Sequence, residues 1–201
     1  FLVSLTFGLL FGILAGINRG KLLDTIFTVL SVLGQSMPTF WTAIIAMLIF
    51  SVKLKILPVS GTGSWKDFVL PALTLGFYSA TRIALLTRSG IIDVMSQDYI
   101  RTAHAKGLKK SIVVFKHGLV NAMIPVITML GLELGTMMAG AVVTEVIFAW
   151  PGIGRLMSDA VLMRDFSTVR GALIMVGVNF LIINFIVDII YSVIDPRIRV
   201  D

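Results

Sequence analysis

ALIMVGVNFLIINFIVDIIYSVI, residues 172–194, runs for 23 positions with one charged side chain, Asp188. About 20 apolar residues in a helix cross the hydrocarbon core of a bilayer, so this stretch reads as a membrane span rather than a buried soluble helix. It stops at DPRIR, residues 195–199, where Pro196 disfavours helix at Asp195 and Arg197 and Arg199 suit a headgroup layer. Four other segments have the same character: residues 1–17, 26–52 (containing Pro38), 68–86 and 119–143. The expected fold is therefore all-α, a polytopic transmembrane helix bundle with five spans.

Composition agrees. Hydrophobic residues make up 57% of the 201 positions and charged residues 14%, where a soluble domain carries about 25%. The net charge of +6 is spread over segments between apolar runs, a placement that membrane topology explains more simply than nucleic-acid binding. There is no cysteine, so disulfides, thiol chemistry and zinc-finger spacings are excluded. The chain opens inside an apolar run with neither Met nor a basic leader. The expectation is a single transmembrane domain over 1–201 that begins within a span, with chain preceding it.

Five spans place the two ends on opposite sides. With a cytoplasmic C-terminus, the inside segments hold ten cations: Arg19, Lys21, Arg88, Arg101, Lys106, Lys109, Lys110, Lys116, Arg197 and Arg199. The outside segments hold six: Lys53, Lys55, Lys66, Arg155, Arg164 and Arg170. That excess selects a cytoplasmic C-terminus and makes residues 88–119 the largest cytoplasmic loop.

Gly8, Gly12 and Gly16 form one stripe on the first span, and Gly131, Gly135 and Ala139 another on the fourth. Such stripes let helices approach closely in lipid, within the chain or at a subunit interface. The outside segment 144–171 contains a turn at Trp150-Pro151-Gly152, then an amphipathic pattern through Leu156, Ala160, Val161 and Met163. Trp150 and Phe148 suit a membrane–water boundary, and the segment could anchor at the interface, cover the bundle or dock a partner.

Catalytic patterns are thin. His104 and His117 lack metal-ligand spacing, no Walker loop is present, and Gly152–Gly154 follows a turn rather than a strand. An enzyme is not expected, and neither a metal nor a cofactor is expected in this chain. Ionisable groups within apolar spans carry more weight. Glu133 lies too deep for its short side chain to reach headgroups, so it lines a pathway or pairs with another helix. Arg82 is near enough to the boundary to snorkel, and Asp188 reads as a structural cap or pair.

One polar segment interrupts the apolar chain: DYIRTAHAKGLKKSIVVFKHGL, residues 98–119. It could bind anionic lipid, be a solvated loop, or be a folded docking element. Its cations alternate with apolar residues rather than forming a run, which favours docking. Tyr99, Ile100, Ala103 and Gly107 read as one short helix face, and Leu108, Ile112, Val113 and Phe115 as a second, broken at Gly107.

RTAHAKGL followed by FKHGLVNAMIPVI resembles the EAA loop of inner-membrane permease subunits in binding-protein-dependent ABC importers. The family pattern is Glu-Ala-Ala, three residues, then Gly; Arg101, Thr102, Ala103 and Gly107 occupy those positions. The departures, with Val120 where the pattern has proline and Pro125 later, are similar to the dipeptide/oligopeptide/nickel branch. TEVIFAWPGIGRL at 144–156, RDF at 164–166, DPRIR at 195–199 and MPTFW at 37–41 resemble the same branch.

The resemblance implies a type I ABC importer permease of a bacterial or archaeal inner membrane. Its partners would be a paralogous second permease, two ATP-binding cassette ATPases carrying ATP and Mg, and an extracytoplasmic binding protein. Arg101, Thr102, Ala103, Lys106, Gly107, Leu108 and Lys109 would form the ATPase-coupling loop. Trp150, Pro151, Gly152, Arg164 and Asp165 would face the binding protein, and Glu133 would be the pathway candidate. The substrate would be a peptide, with nickel, a metal chelate or glutathione as alternatives. A secondary transporter or channel is the rival class and would need titratable clusters at mid-membrane and repeated halves.

Overall fold

The computed structural model describes residues 1–194, and among them all regular structure is helical. Nine α-helices follow one another: α1 (Leu2–Ile17), α2 (Leu22–Ser36), α3 (Thr39–Ala46), α4 (Lys66–Met95), α5 (Asp98–Ala105), α6 (Lys110–Ile112), α7 (Val120–Ile147), α8 (Ile153–Leu162) and α9 (Phe166–Ile194). Two π-helical segments, Met47–Lys53 and Val113–Leu119, continue α3 and join α6 to α7.

Among the described residues, three helical stretches are long and apolar enough to span a membrane: Lys66–Met95, Val113–Met138 and Phe166–Val187. The segment expected as one span over 26–52 is broken, with α2 ending at Ser36 and α3 starting at Thr39. Pro38 caps α3 in an extended conformation (φ −60°, ψ 139°), and residues before a proline avoid helix. Counted as one bent span, the pair raises the number to four; α1 is apolar but shorter. α4 runs nine residues past the boundary expected at 86, so the helix is interrupted only at Ser96. The DPRIR tail and the Asp188 side chain lie outside what is described.

The chain divides into two compact units, Phe1–Ser36 with Phe77–Leu130, and Met37–Gly76 with the segment from Gly131 onward. In the first unit the glycine stripe of α1 lies against α4. A Cβ on Gly8 would stand 2.7 Å from the Ile83 Cβ, one on Gly12 2.6 Å from the Ala84 carbonyl oxygen, and one on Gly16 2.9 Å from the Ile91 Cβ. These glycines thus serve packing within the chain, bringing the two backbones together where larger residues would hold them apart. Gly34 does the same for α2 against Thr81 and Phe77, and Phe11 stacks on Phe27 with ring centroids 4.8 Å apart.

In the second unit Ala43, Leu70 and Phe148 form the core, joined by Ala46, Met47, Phe50, Leu57 and Ile147. Phe148, expected at a membrane boundary beside Trp150, is instead 2% exposed. Its ring is wholly apolar and fills the core, while the more polar Trp150 packs on Phe68 at a centroid distance of 4.5 Å. Gly135 receives the Phe180 ring of α9, so this stripe too serves intrachain packing at that position.

Candidate functional site

The polar segment folds as a knob. α4 stops at Met95, Ser96 and Gln97 turn the chain, and α5 begins at Asp98. One face of α5 is apolar: Ile100 and Ala103 are buried with Val113, against Val94 and Met95 from the end of α4. The other face is polar and open, with Arg101, Thr102, His104 and Lys106 exposed. Tyr99, expected on the packed face, is 44% exposed, and of the second expected face only Val113 is buried while Leu108, Ile112 and Phe115 project outward. Both short elements thus bury few side chains and leave apolar as well as basic residues on the surface.

α5 ends in a Schellman motif. The Leu108 N–H donates to the Ala103 carbonyl (3.4 Å) and the Gly107 N–H to the His104 carbonyl (3.0 Å). The residue between them must be left-handed, and Gly107 has φ +75°. This is the physical reason for glycine here, since a Cβ would meet none of the described residues within 4 Å. Lys106 and Lys109 flank the turn, exposed. Arg101 makes a 3.5 Å ion pair with Asp98, both side chains more than four-fifths exposed, too solvated to fix the knob. The Thr102 hydroxyl donates to the Asp98 carbonyl at 3.0 Å.

The stem of the knob carries an ion pair not anticipated from sequence. Arg88 on α4 donates through Nε (2.5 Å) and Nη2 (3.0 Å) to the two carboxylate oxygens of Asp24 on α2. Asp24, with a side chain 7% exposed, also accepts the Gly20 N–H (2.9 Å) and the Thr28 hydroxyl (3.2 Å).

In the second unit Glu133 is fully buried. The Thr136 hydroxyl donates to its carbonyl (3.0 Å) and lies 3.3 Å from its Oε2.

The segment from Thr144 to Asp165 is organised by Glu145, a residue not singled out from the sequence. The Gly154 and Arg155 N–H groups at the start of α8 donate to its Oε2, at 2.7 and 3.2 Å. A carboxylate at a helix N-terminus meets free donors and the positive end of the dipole. Gly152 and Gly154 are required beside it, since a Cβ on Gly154 would lie 2.5 Å from the Val142 Cα. The Arg155 guanidinium bonds the Ala149 carbonyl. Glu145→Ala is expected to cost about 1–3 kcal/mol, because two donors lose their acceptor. Glu145→Gln should cost less; unfolding temperatures in detergent distinguish the two.

α7 and α8 also end in Schellman motifs, at Ala149 (φ 52°) and Arg164 (φ 58°). Neither residue is glycine, so each holds a conformation costing about 1–2 kcal/mol. Arg164→Gly is therefore expected to raise thermal stability by about 1 kcal/mol, read as a higher unfolding temperature. Asp165 caps α9, accepting the Ser167 and Thr168 N–H groups and, at 2.6 Å, the Thr168 hydroxyl. The Thr168 hydroxyl, then its N–H and that of Ser167, hold the Asp165 carboxyl below the usual range. The cap is intact at neutral pH and weakens only as pH falls through that lowered value. Of the residues expected to face an outside partner, Trp150, Gly152 and Asp165 thus have structural work within the chain. Pro151 and Arg164 are exposed, and an open hollow of about 470 Å³ lies over Pro151, Ile153, Leu156 and Asp159.

Residues 8–200 match the family of binding-protein-dependent transport system inner membrane components. The glutathione transport system permease protein GsiC of Salmonella choleraesuis (strain SC-B67) is 45% identical over 196 residues, 98% of this chain and 64% of the relative. GsiC of Escherichia coli (strain K12) is 43% identical over the same share of each chain. The chain thus spans 64% of the length of the curated relatives it matches.

Proposed function

The chain belongs to the family of binding-protein-dependent transport system inner membrane components, and from that premise we propose that it forms half of the translocation pathway of an ATP-driven importer. A paralogous permease supplies the other half, two separate ATPases bind ATP and Mg, and an extracytoplasmic protein delivers substrate. The α5–Gly107–α6 knob is the coupling element, facing the cytoplasm with the C-terminus. The observation that carries this reading is the knob's two-sidedness: Ile100, Ala103 and Val113 fix its underside to the end of α4, while its basic and apolar outer face stays uncovered. A body seated in an ATPase groove and rigidly joined to a spanning helix can pass on motion. Around Pro151 and Arg164, the strained backbone of an exposed arginine supports a docking role on the outer side. Full burial of Glu133 favours a pairing role over a water-lined one.

The substrate class is a short peptide. Glutathione, itself a tripeptide, is favoured within it by the likeness to GsiC. The test is uptake into proteoliposomes holding this chain with its second permease, both ATPases and the binding protein. ATP-dependent uptake of glutathione or a dipeptide, but not of chelated nickel, is the expected result. Uptake that needs no ATP and follows an ion gradient would instead identify a secondary transporter.

A further inference from the structure

The Asp24–Arg88 pair sits where two structural joints meet. On one side it ties down the α1–α2 connection: Asp24 accepts the N–H of Gly20, whose φ of +75° makes that turn. On the other it grips α4 seven residues before Met95, which with Val94 packs the knob. Gly16 adds to the same joint, since a Cβ there would stand 3.3 Å from the Arg88 carbonyl and 2.9 Å from the Ile91 Cβ. Residues 24 and 88 are 64 positions apart, so no local helical preference brings them together. The contact is bidentate and one partner is almost wholly buried; a guanidinium fork fixes direction as well as distance, which a lysine does not.

We infer that Asp24 and Arg88 are positioning residues for coupling. Their ion pair latches the α1–α2 hairpin to the stem of the knob and stays closed while the transporter works, so that displacement of α5 moves α1, α2 and the end of α4 as one body. This rests on the coupling role proposed above. An ordinary stabilising pair would affect how much protein folds; a latch affects how much transport each hydrolysed ATP yields.

Residues 1–201 contain no cysteine, so two introduced thiols are the only ones in this stretch once any cysteines elsewhere in the assembly are replaced by serine. In the assembled transporter, Asp24→Cys with Arg88→Cys, left unbridged, should keep ATP hydrolysis but lower transport per ATP by about tenfold. Bridging the two thiols with a short bifunctional methanethiosulfonate should restore it to within about twofold of the parent. Arg88→Lys should fall between. Full coupling in the unbridged variant overturns the inference. So does a bridged variant that hydrolyses ATP without transporting, because the pair would then have to open. Spin labels at Leu23→Cys and Ser89→Cys, both exposed positions, give a second measure on the full chain in nanodiscs. The latch predicts a narrow interspin distance that broadens with Asp24→Asn; an unchanged distribution overturns it. If the parent transporter shows no ATP-dependent uptake, the importer reading fails, while the spin-label result still decides whether the pair holds α2 to α4.

Discussion

Gly107→Trp is expected to reach the membrane at parental levels and to abolish substrate-stimulated ATP hydrolysis by the assembled transporter. Two costs separate cleanly at this position. Within the chain, a non-glycine residue at φ +75° loses about 1–2 kcal/mol of backbone energy, too little to unfold a bundle of long apolar helices. None of the described residues approaches a Cβ there within 4 Å, so the added side chain starts out from the described part of the chain rather than into it. A partner seated over the turn would be obstructed by it. Gly107→Asn is the matching control: asparagine tolerates the left-handed region and adds little bulk, so coupling should largely survive. Immunoblots of membranes report insertion, and ATPase assays with and without loaded binding protein report coupling. Normal transport by the tryptophan variant would sink the assignment of the knob.

Gly12→Leu should do the opposite, removing the folded chain itself. A single Cβ at Gly12 would already come 2.6 Å from both the Ala84 carbonyl oxygen and the Thr87 Cβ. Backbone and a buried, β-branched side chain line that notch, and neither can swing away as the tip of a flexible residue can. α1 would have to lift off α4, opening the seam that Gly8 and Gly16 share. Overpacking of one site costs about 1–3 kcal/mol, and leucine adds three more carbons to the clash, so the loss should lie at or above the top of that range. The expected readout is a large fall in detergent-solubilised yield and in unfolding temperature. Leu10→Ala, on the half-exposed outer side of the same helix, should change neither by much. Equal losses in both variants would mean that the seam is not what holds α1.

Much of this was legible in the sequence, for physical reasons that differ between elements. Apolar runs report spans because lipid demands them over a whole helix length, and α4, α7 and α9 follow. The break within the knob was legible because a Schellman turn favours glycine at its left-handed position, and Gly107 stands there between two short amphipathic patterns. The facing of Tyr99 was not: α5 is eight residues long, barely two turns, and its apolar residues fit more than one face. The break at Pro38 was visible as a residue but not as a consequence, since transmembrane helices often retain proline by satisfying the freed backbone elsewhere. Pro125 is such a case, inside an unbroken α7. The Asp24–Arg88 pair could not be read from local pattern because it is a tertiary contact; its one trace is a lone acid in the first turn of an apolar helix. Glu145 left a clearer trace, an acid in an apolar helix followed by Gly152 and Gly154.

The π-helical segment Val113–Leu119 sets the knob's compass bearing. A π turn accommodates one residue more than an α turn, and each residue of an α-helix advances about 100° around its axis. The extra residue therefore fixes the azimuth at which α5 and α6 leave the axis of α7. Deleting one residue between Val113 and Leu119, so that the stretch closes as ordinary α-helix, would keep the composition and length of both neighbours nearly intact. It would nevertheless swing the knob by about a quarter turn, aiming Arg101, Lys106 and Gly107 along a new heading.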